Sequence, residues 1–468
     1  MSNSSNVDEP ATRPLHFNVG IIGHVDAGKT ALAKRLTSIV STACHDKHPQ
    51  AQARGMTIDL GFSALTLPSG QLVTLVDCPG HSGLIRAVLM AANIIDALLL
   101  VVDGVQGIQK QTVECLALQC AVRKPLLVVI NKIDDPLSKY AKLHDLFQSK
   151  FQDVPIVGVS AITGEGIEVL VKSIEALMNK TDKADSHKSG EFVAIIDHCF
   201  QIKGVGPVVT GTCIQGACQV GDSLILDNAK VKVKTMQSFK QNITKCGLGD
   251  RVGFNLSGFY LDGLSSERTL LYSLGAIVYS NRVLCKDIKM VPYYKGNSNC
   301  FKRLHISIMN VTLQSRNIVF LQTGSSGYVP TDSIAEATVG LLEFDVPVPI
   351  LQDLKFIASR LDLEDAPCRL AFYGSIIGPA PELKVVTERS KILEFERWHK
   401  PGVLLVRGLT RAQVERFIKD TVEVTYESGV DRAHIMASFG ASNKVLIQTR
   451  AVGRISSIIL KYKKEFLV

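Results

Sequence analysis

Gly23-His24-Val25-Asp26-Ala27-Gly28-Lys29-Thr30 is the stretch around which the chain is organised. An apolar run, Phe17–Ile22, precedes it and a helical pattern, Lys29–Val40, follows, which reads as strand, glycine loop, helix. Glycines let a backbone curl until successive N–H groups point inward. Those donors, at residues 23–28, form with the helix N-terminus a cradle for phosphate oxygens. Lys29 is placed to reach β- and γ-phosphates as a point charge, and Thr30 to offer its hydroxyl to Mg2+.

Outward from that loop, residues 16–180 alternate strand-like and helix-like runs. Strands are expected at Phe17–Ile22, Phe62–Leu67, Leu72–Val76, Ala97–Val102, Leu126–Ile130 and Ile156–Val159. Helices are expected at Lys29–Val40, Gly83–Ala92, Lys110–Val122, Lys139–Phe151 and Gly166–Met178. The alternation predicts an α/β domain with a mostly parallel sheet and ligand loops at the strand C-termini.

Those loops share one chemistry. In Asp77-Cys78-Pro79-Gly80-His81, Asp77 can hold Mg2+ through water and the Gly80 N–H can meet a γ-phosphate. Asn131-Lys132-Ile133-Asp134 ends the next strand but one. The Asp134 carboxylate can accept both N1–H and N2–H of guanine, a pair that adenine does not offer. Asn131 and the Lys132 stem complete the base pocket, and a backbone N–H of Ser160-Ala161 can meet guanine O6. Thr57, in Arg54-Gly55-Met56-Thr57-Ile58-Asp59, sits where a mobile loop can close over Mg2+ and γ-phosphate. Together, in this order, the loops specify a binder of GTP and GDP.

The bulk numbers bound the rest. The 468 residues suffice for several domains, and 46% hydrophobic residues for their cores. A net charge of +8 permits a nucleic-acid partner without requiring one. The 11 cysteines show no CxxC pair and no metal-ligand spacing, the usage of free thiols in a reducing compartment. Residues 1–15 read as a disordered leader rather than a signal peptide. No apolar run approaches the roughly 18 residues of a membrane span, so a cytoplasmic protein with no membrane contact is expected.

The Asp-Cys-Pro-Gly-His turn ending at His81 resembles that of the translational GTPases. The resemblance implies that His81 is catalytic, positioning the attacking water once a ribosome orders it. It also implies an apolar gate, Val25 and Met56, that holds His81 back; Ile is usual where Met56 stands. Residues 179–190 read as a polar linker, after which the texture changes to short strands. Lys203-Gly204-Val205-Gly206-Pro207-Val208-Val209-Thr210-Gly211-Thr212 resembles the second-domain barrel of elongation factor Tu.

Three further stretches narrow the match. Ile196-Asp197-His198-Cys199-Phe200, Gly249-Asp250-Arg251-Val252-Gly253 and Thr57–Ser63 are similar to the selenocysteine-specific elongation factors of the eukaryotic type. That resemblance implies a β-barrel over 191–285 whose aminoacyl pocket is lined by Asp197, His198 and Arg251. A selenol is more acidic than a thiol, so selenocysteine is anionic at pH 7 where serine is neutral. Arg251 and His198 can attract the selenolate while Asp197 takes the α-amino group, and a partly desolvated ion pair separates the two cargoes by charge.

Residues 286–385 read as a second barrel, with strands at Phe301–Met309, Ala337–Val346, Leu354–Ser359 and Cys368–Tyr373. Residues 386–468 read as a third, with strands at Val403–Leu409, Val414–Phe417, Thr421–Tyr426, His434–Phe439, Lys444–Thr449 and Ser457–Phe466. From Glu396 onward 13 Lys and Arg face 7 Asp and Glu, so most of the excess charge sits in this last region, as phosphate contacts require. The expected whole is an α/β GTPase domain followed by three small β-barrels. The resemblance implies a monomer that carries selenocysteinyl-tRNA to the ribosome and reaches the selenocysteine-insertion mRNA stem-loop through a protein partner. A general aminoacyl-tRNA elongation factor lacks the last barrel, and an initiator-tRNA-binding GTPase carries a zinc knuckle that has no counterpart here. An RNA-binding adaptor with a structural GTP site is the alternative outside enzyme function.

Overall fold

A computed structural model describes residues 17–40, 60–78, 93–181, 190–259, 269–296, 301, 303–324, 327–363, 366, 368–418, 420–440, 443–451 and 453–467. The expected helix Gly83–Ala92 lies outside them. The first domain contains β1 (Phe17–Gly23), α1 (Lys29–Leu36), β2 (Ile39–Val40), β3 (Gly61–Thr66), β4 (Leu72–Asp77) and β5 (Ala97–Asp103). It continues with α2 (Lys110–Val122), β6 (Leu126–Asn131), α3 (Tyr140–Lys150), β7 (Ile156–Gly158) and α4 (Ile167–Lys180). The sheet order is β2-β3-β4-β1-β5-β6-β7. β4, β1, β5, β6 and β7 run parallel, and β3 pairs antiparallel with β4.

β1 is buried along its whole length, as a central parallel strand covered on both faces must be. On one face Val19, Ile21, Leu99 and Val129 pack with Leu32 and Leu36 of α1 and with Leu170 and Ile174 of α4.

One expectation is corrected here. The helix starting at Lys29 ends at Leu36 rather than running to Val40. Thr37 turns the chain out, donating from its hydroxyl to Ala33 O at 2.6 Å, and Ser38 N donates to Ala64 O. The β-branched Ile39 and Val40 then pair with Ala64 and Ser63 as a short strand.

The second region holds β8 (Val193–Ile202), β9 (Gly206–Gln215), β10 (Ala217–Gln219), β11 (Ser223–Leu226) and β12 (Ala229–Ser238). β13 (Gln241–Ile243), β14 (Lys245–Gly247), β15 (Arg251–Ser257) and β16 (Leu270–Tyr272) complete it. Pairing β11-β16-β8-β9-β15-β12 and back to β11 closes a six-strand barrel around Phe192, Ile196, Val209, Phe254 and Leu256. β10 and β14 form a separate two-strand ribbon.

The third region comprises β17 (Val278–Met290), β18 (His305–Ile308), β19 (Val311–Gln314) and the start of β20 (Asn317–Gly324), whose later residues and β21 (Gly327–Thr331) belong to the last unit. It also includes β22 (Val339–Ile350), β23 (Lys355–Ser359) and β24 (Leu370–Pro379). Six of these pair in the order β19-β18-β23-β24-β17-β22. β17 runs unbroken through the expected division at 285/286 and pairs with β22 and β24, so the third region already includes Val278.

Phe320–Thr331 and Pro381–Val468 form a compact unit of their own. It contains β25 (Lys384–Lys400), β26 (Val403–Arg407), α5 (Arg411–Phe417), β27 (Thr421–Tyr426), β28 (Gly429–Phe439), β29 (Lys444–Gln448) and β30 (Ile455–Leu467). The ring β25-β26-β29-β28-β27-β30 closes on β25 around Leu404, Val406, Val422, Ile447 and Leu460. The strand expected at Val414–Phe417 is instead the end of α5. Thr410 accepts from Gln413 N while the Gln413 side chain accepts from Thr410 N, a reciprocal cap that starts a helix. Val414 and Phe417 then point into the core one turn apart.

Candidate functional site

The phosphate loop leaves β1 at Gly23 and enters α1 at Lys29. Gly28 has φ 87°, and a Cβ there would strike the Asn131 amide, so only glycine fits between loop and base pocket. Lys29 is 6% exposed and donates from Nζ to His24 O at 2.7 Å, holding the loop in the curl that phosphate needs. Burial pulls its pKa below the usual lysine value, with Asp77 opposing. A γ-phosphate beside this ammonium would supply the counter-charge that burial makes scarce.

Thr30 and Asp77, the two described residues expected to hold Mg2+, lie in contact. The Thr30 hydroxyl donates to Asp77 Oδ2 at 2.7 Å, and Asp77 is fully buried at the end of β4. Among the described residues no group of three or more His, Cys, Asp or Glu makes a metal cage. The pair fits Mg2+, a hard ion that keeps several waters and takes its other oxygens from phosphate.

Asn131 joins the two halves of the site. Its Nδ2 donates to Ala27 O at 2.9 Å and its Oδ1 accepts from Ala161 N at 3.1 Å, so one buried amide pins the phosphate loop to the loop after β7. Ser160 N–H is bonded to Glu165 O, so within this loop both expected guanine donors already serve the protein. Asp134 is exposed. Lys132 takes a left-handed φ of 63° and donates from Nζ to Asp103 Oδ2 at 2.7 Å. Burial acts to raise the Asp103 pKa, but the Lys132 bond and the N–H groups of Gln106 and Val105 hold it below the usual range.

Two contributors escape a sequence reading. Asp103, at the end of β5, orients the Lys132 stem, and Gln111 of α2 accepts from Val25 N at 2.9 Å. Met56, Thr57, Gly80 and His81 lie outside the described residues.

The second constellation sits on the barrel. β8 and β9 pair Ile196 with Gly211 and His198 with Thr210, which leaves Asp197 as the extra residue of a β-bulge. A bulge re-aims a side chain out of strict alternation. Asp197 turns toward Arg251 at the start of β15, and the guanidinium grips both its carboxylate oxygens, Nη2 to Oδ1 at 2.7 Å. His198 Nδ1 lies 2.7 Å from Asp197 Oδ1, and the Thr210 hydroxyl donates to the same oxygen at 2.9 Å. Arg251 is 5% exposed and stacks 3.6 Å over the ring of Phe62 from β3. His198 meets the same ring edge-on at 6.4 Å. The three predicted pocket residues therefore converge, joined by Thr210 and Phe62. A cavity of about 160 Å3 opens beside Arg251 and Thr210, lined also by Phe200, Val208, Gly253 and Asn255.

The chain matches the family model of the elongation factor Tu GTP-binding domain over residues 14–180. It is 34% identical to the mouse selenocysteine-specific elongation factor, across 93% of this chain and 88% of that protein. It is 37% identical to the factor of the same description from Methanocaldococcus jannaschii, across 85% and 87%. Among solved structures it is similar to translation elongation factor SelB from Methanococcus maripaludis in complex with the GTP analogue GppNHp. There the TM-score is 0.76 and the identity 26%, covering 97% of this chain and all of the other. The chain belongs to the selenocysteine-specific elongation factors and is a translational GTPase.

Proposed function

We propose that the protein carries selenocysteinyl-tRNA in its GTP form, releases it on the ribosome at UGA codons, and hydrolyses GTP as it does so. The observation that carries this reading is the convergence of Asp197, His198 and Arg251 against Phe62. In the sequence Thr57-Ile58-Asp59-Leu60-Gly61 leads directly into Phe62. The ring that covers the pocket thus continues the stretch expected to respond to the γ-phosphate.

The pocket residues carry one negative and one positive charge in mutual contact. A selenocysteinyl ester carries the matching pair, an α-ammonium and a selenolate. Cargo enters by exchanging the internal Arg251–Asp197 pair for two external ones, the ammonium on Asp197 and the selenolate on Arg251, with His198 adding charge when protonated. A seryl ester offers only the first of these. The cargo is esterified to the terminal ribose, so the last nucleotide lies next to the pocket, and the cavity beside Arg251 and Thr210 is the adjoining space.

In the GTPase part, Lys29 and the 23–28 backbone hold the phosphates, and Asn131, Lys132 and Asp134 hold guanine. Thr30, Asp77 and Thr57 would hold Mg2+, which would supply charge neutralisation to the bound phosphates. His81 orients the water, behind a gate of Val25 and Met56. The GTPase part spans 16–180, the aminoacyl barrel starts at 191, and the basic barrel binds RNA phosphates. The protein acts as a cytoplasmic monomer and reaches the mRNA stem-loop through a protein partner.

The test is GTP-dependent binding of selenocysteinyl-tRNA, seryl-tRNA of the same tRNA body, and an ordinary aminoacyl-tRNA. Preference for the first supports the reading. Equal binding of the first two removes the pocket's role, and equal binding of all three points to a general elongation factor.

A further inference from the structure

Three thiols meet in the barrel region that carries Arg251. Cys218 of β10 stands directly opposite Cys246 of β14. Cys246 Sγ lies 3.8 Å from Cys213 Sγ and 3.8 Å from Met236 Sδ. All three cysteines are free thiols, at most 2% exposed. Directly opposed residues of an antiparallel pair have Cα atoms about 4.5–5.5 Å apart, inside the range of about 4.4–6.8 Å that a disulfide spans.

We propose that Cys218 and Cys246, with Cys213 as the alternative partner of Cys246, form a dithiol oxidised by hydroperoxides, and that its oxidation resets the turn that places Arg251. The thiols pack against the barrel core, and access to them requires the ribbon to open: β10 and β14 are three residues each and stand outside the closed ring, and short ribbons open locally. While the ribbon is closed, contact with Cys246 and then burial push Cys218 up, and contact with Cys213, opposed by Cys218, pushes Cys246 up with burial, so they react in the open form. One thiolate attacks a peroxide oxygen, breaking the O–O bond to give a sulfenic acid and hydroxide. The second thiol attacks that sulfur, forming S–S and releasing water. Two thiols and one hydrogen peroxide become one disulfide and two waters.

The consequence follows from the backbone next to Cys246. Gly247 N donates to Asp250 Oδ2 at 2.8 Å, and Asp250 N to Gly247 O at 3.0 Å. Cys213 N donates to Asp250 O and Gly249 N to Cys213 O, so Cys213 borders the turn that ends at Arg251, while Cys218 faces Cys246 one residue before that turn. Asn18 of β1 donates to Gly249 O at 3.0 Å, which links the same turn to the GTPase domain.

The effect on cargo rests on the pocket reading above; the disulfide itself does not. The full-length protein is treated with graded hydrogen peroxide, then alkylated and mapped by mass spectrometry, with GTP and selenocysteinyl-tRNA binding measured on the same samples. A disulfide from Cys246 to Cys218 or Cys213 should appear while Cys285 and Cys368 remain thiols. Binding of tRNA should fall in the wild type, be restored by dithiothreitol, and persist in both Cys246→Ser and Cys246→Ala, with GTP binding unchanged throughout. No Cys246 disulfide below the dose that unfolds the protein overturns the proposal. A disulfide that leaves tRNA binding intact overturns the link to Arg251, and failure of the untreated protein to bind the tRNA counts against the pocket reading alone.

Discussion

Arg251 donates to both carboxylate oxygens of Asp197 from a position 5% exposed, so the two form a largely buried ion pair. Burial alone would raise the Asp197 pKa, but the Arg251 charge and the His198 bond hold it below the usual carboxylate range. A carboxyl whose folded pKa is depressed contributes stability that is fully present above its unfolded value of about 3.9 and is lost as pH falls through the folded one. Asp197→Asn should therefore destabilise the protein by about 3 kcal/mol or more at neutral pH, because Arg251 is left buried and unpaired. Urea denaturation between about pH 3 and pH 8 checks this: the difference from wild type should shrink only below about pH 4. A difference that vanishes near neutrality contradicts the assignment.

Glu114 and Arg369 form a second buried pair, 4% exposed on each side, with bonds of 2.7 and 2.8 Å from the guanidinium. Arg369 N also donates to Glu114 Oε1 at 3.2 Å. Glu114→Ala should cost about 3–5 kcal/mol, since it takes the opposite charge away from a buried guanidinium. Replacing both residues with apolar ones of similar volume should recover most of that loss. Denaturation of the two single variants and the double variant, read as a cycle, measures the coupling.

Asp134 is exposed, and in the proposed function its carboxylate accepts the guanine N1–H and N2–H. Asp134→Asn exchanges an acceptor for a donor. GTP affinity should fall by at least about tenfold, equivalent to roughly 1.4 kcal/mol, while xanthosine triphosphate, which presents an oxygen where guanine has its amino group, should gain. Titrating wild type and variant with both nucleotides checks it, and an unchanged preference for GTP would remove Asp134 from the base pocket.

The GTP site is legible in the sequence because its chemistry is local: Gly28, Lys29, Thr30 and Asp134 each sit in short runs whose spacing expresses their geometry. That Asp197, His198 and Arg251 lie together is legible through resemblance, and the bulge at Asp197 explains why an acid inside a strand can point to Arg251. What stays hidden depends on distance along the chain. Phe62 over Arg251, Glu114 with Arg369 and Cys246 beside Cys213 leave no periodic trace. The α5 helix is different: Thr410-Arg411-Ala412-Gln413 holds a capping-box signal, but in Val414-Glu415-Arg416-Phe417 only the two ends are apolar, too few positions to set a helical period.

The central claim is that charge at Arg251 separates selenocysteine from serine. The most direct measurement is the ratio of GTP-dependent affinities for selenocysteinyl- and seryl-tRNA on one tRNA body, in wild type and Arg251→Ala. The account predicts a ratio that falls by at least about tenfold, roughly 1.4 kcal/mol, with GTP affinity unchanged. An unaltered ratio in a folded, GTP-binding variant would contradict it.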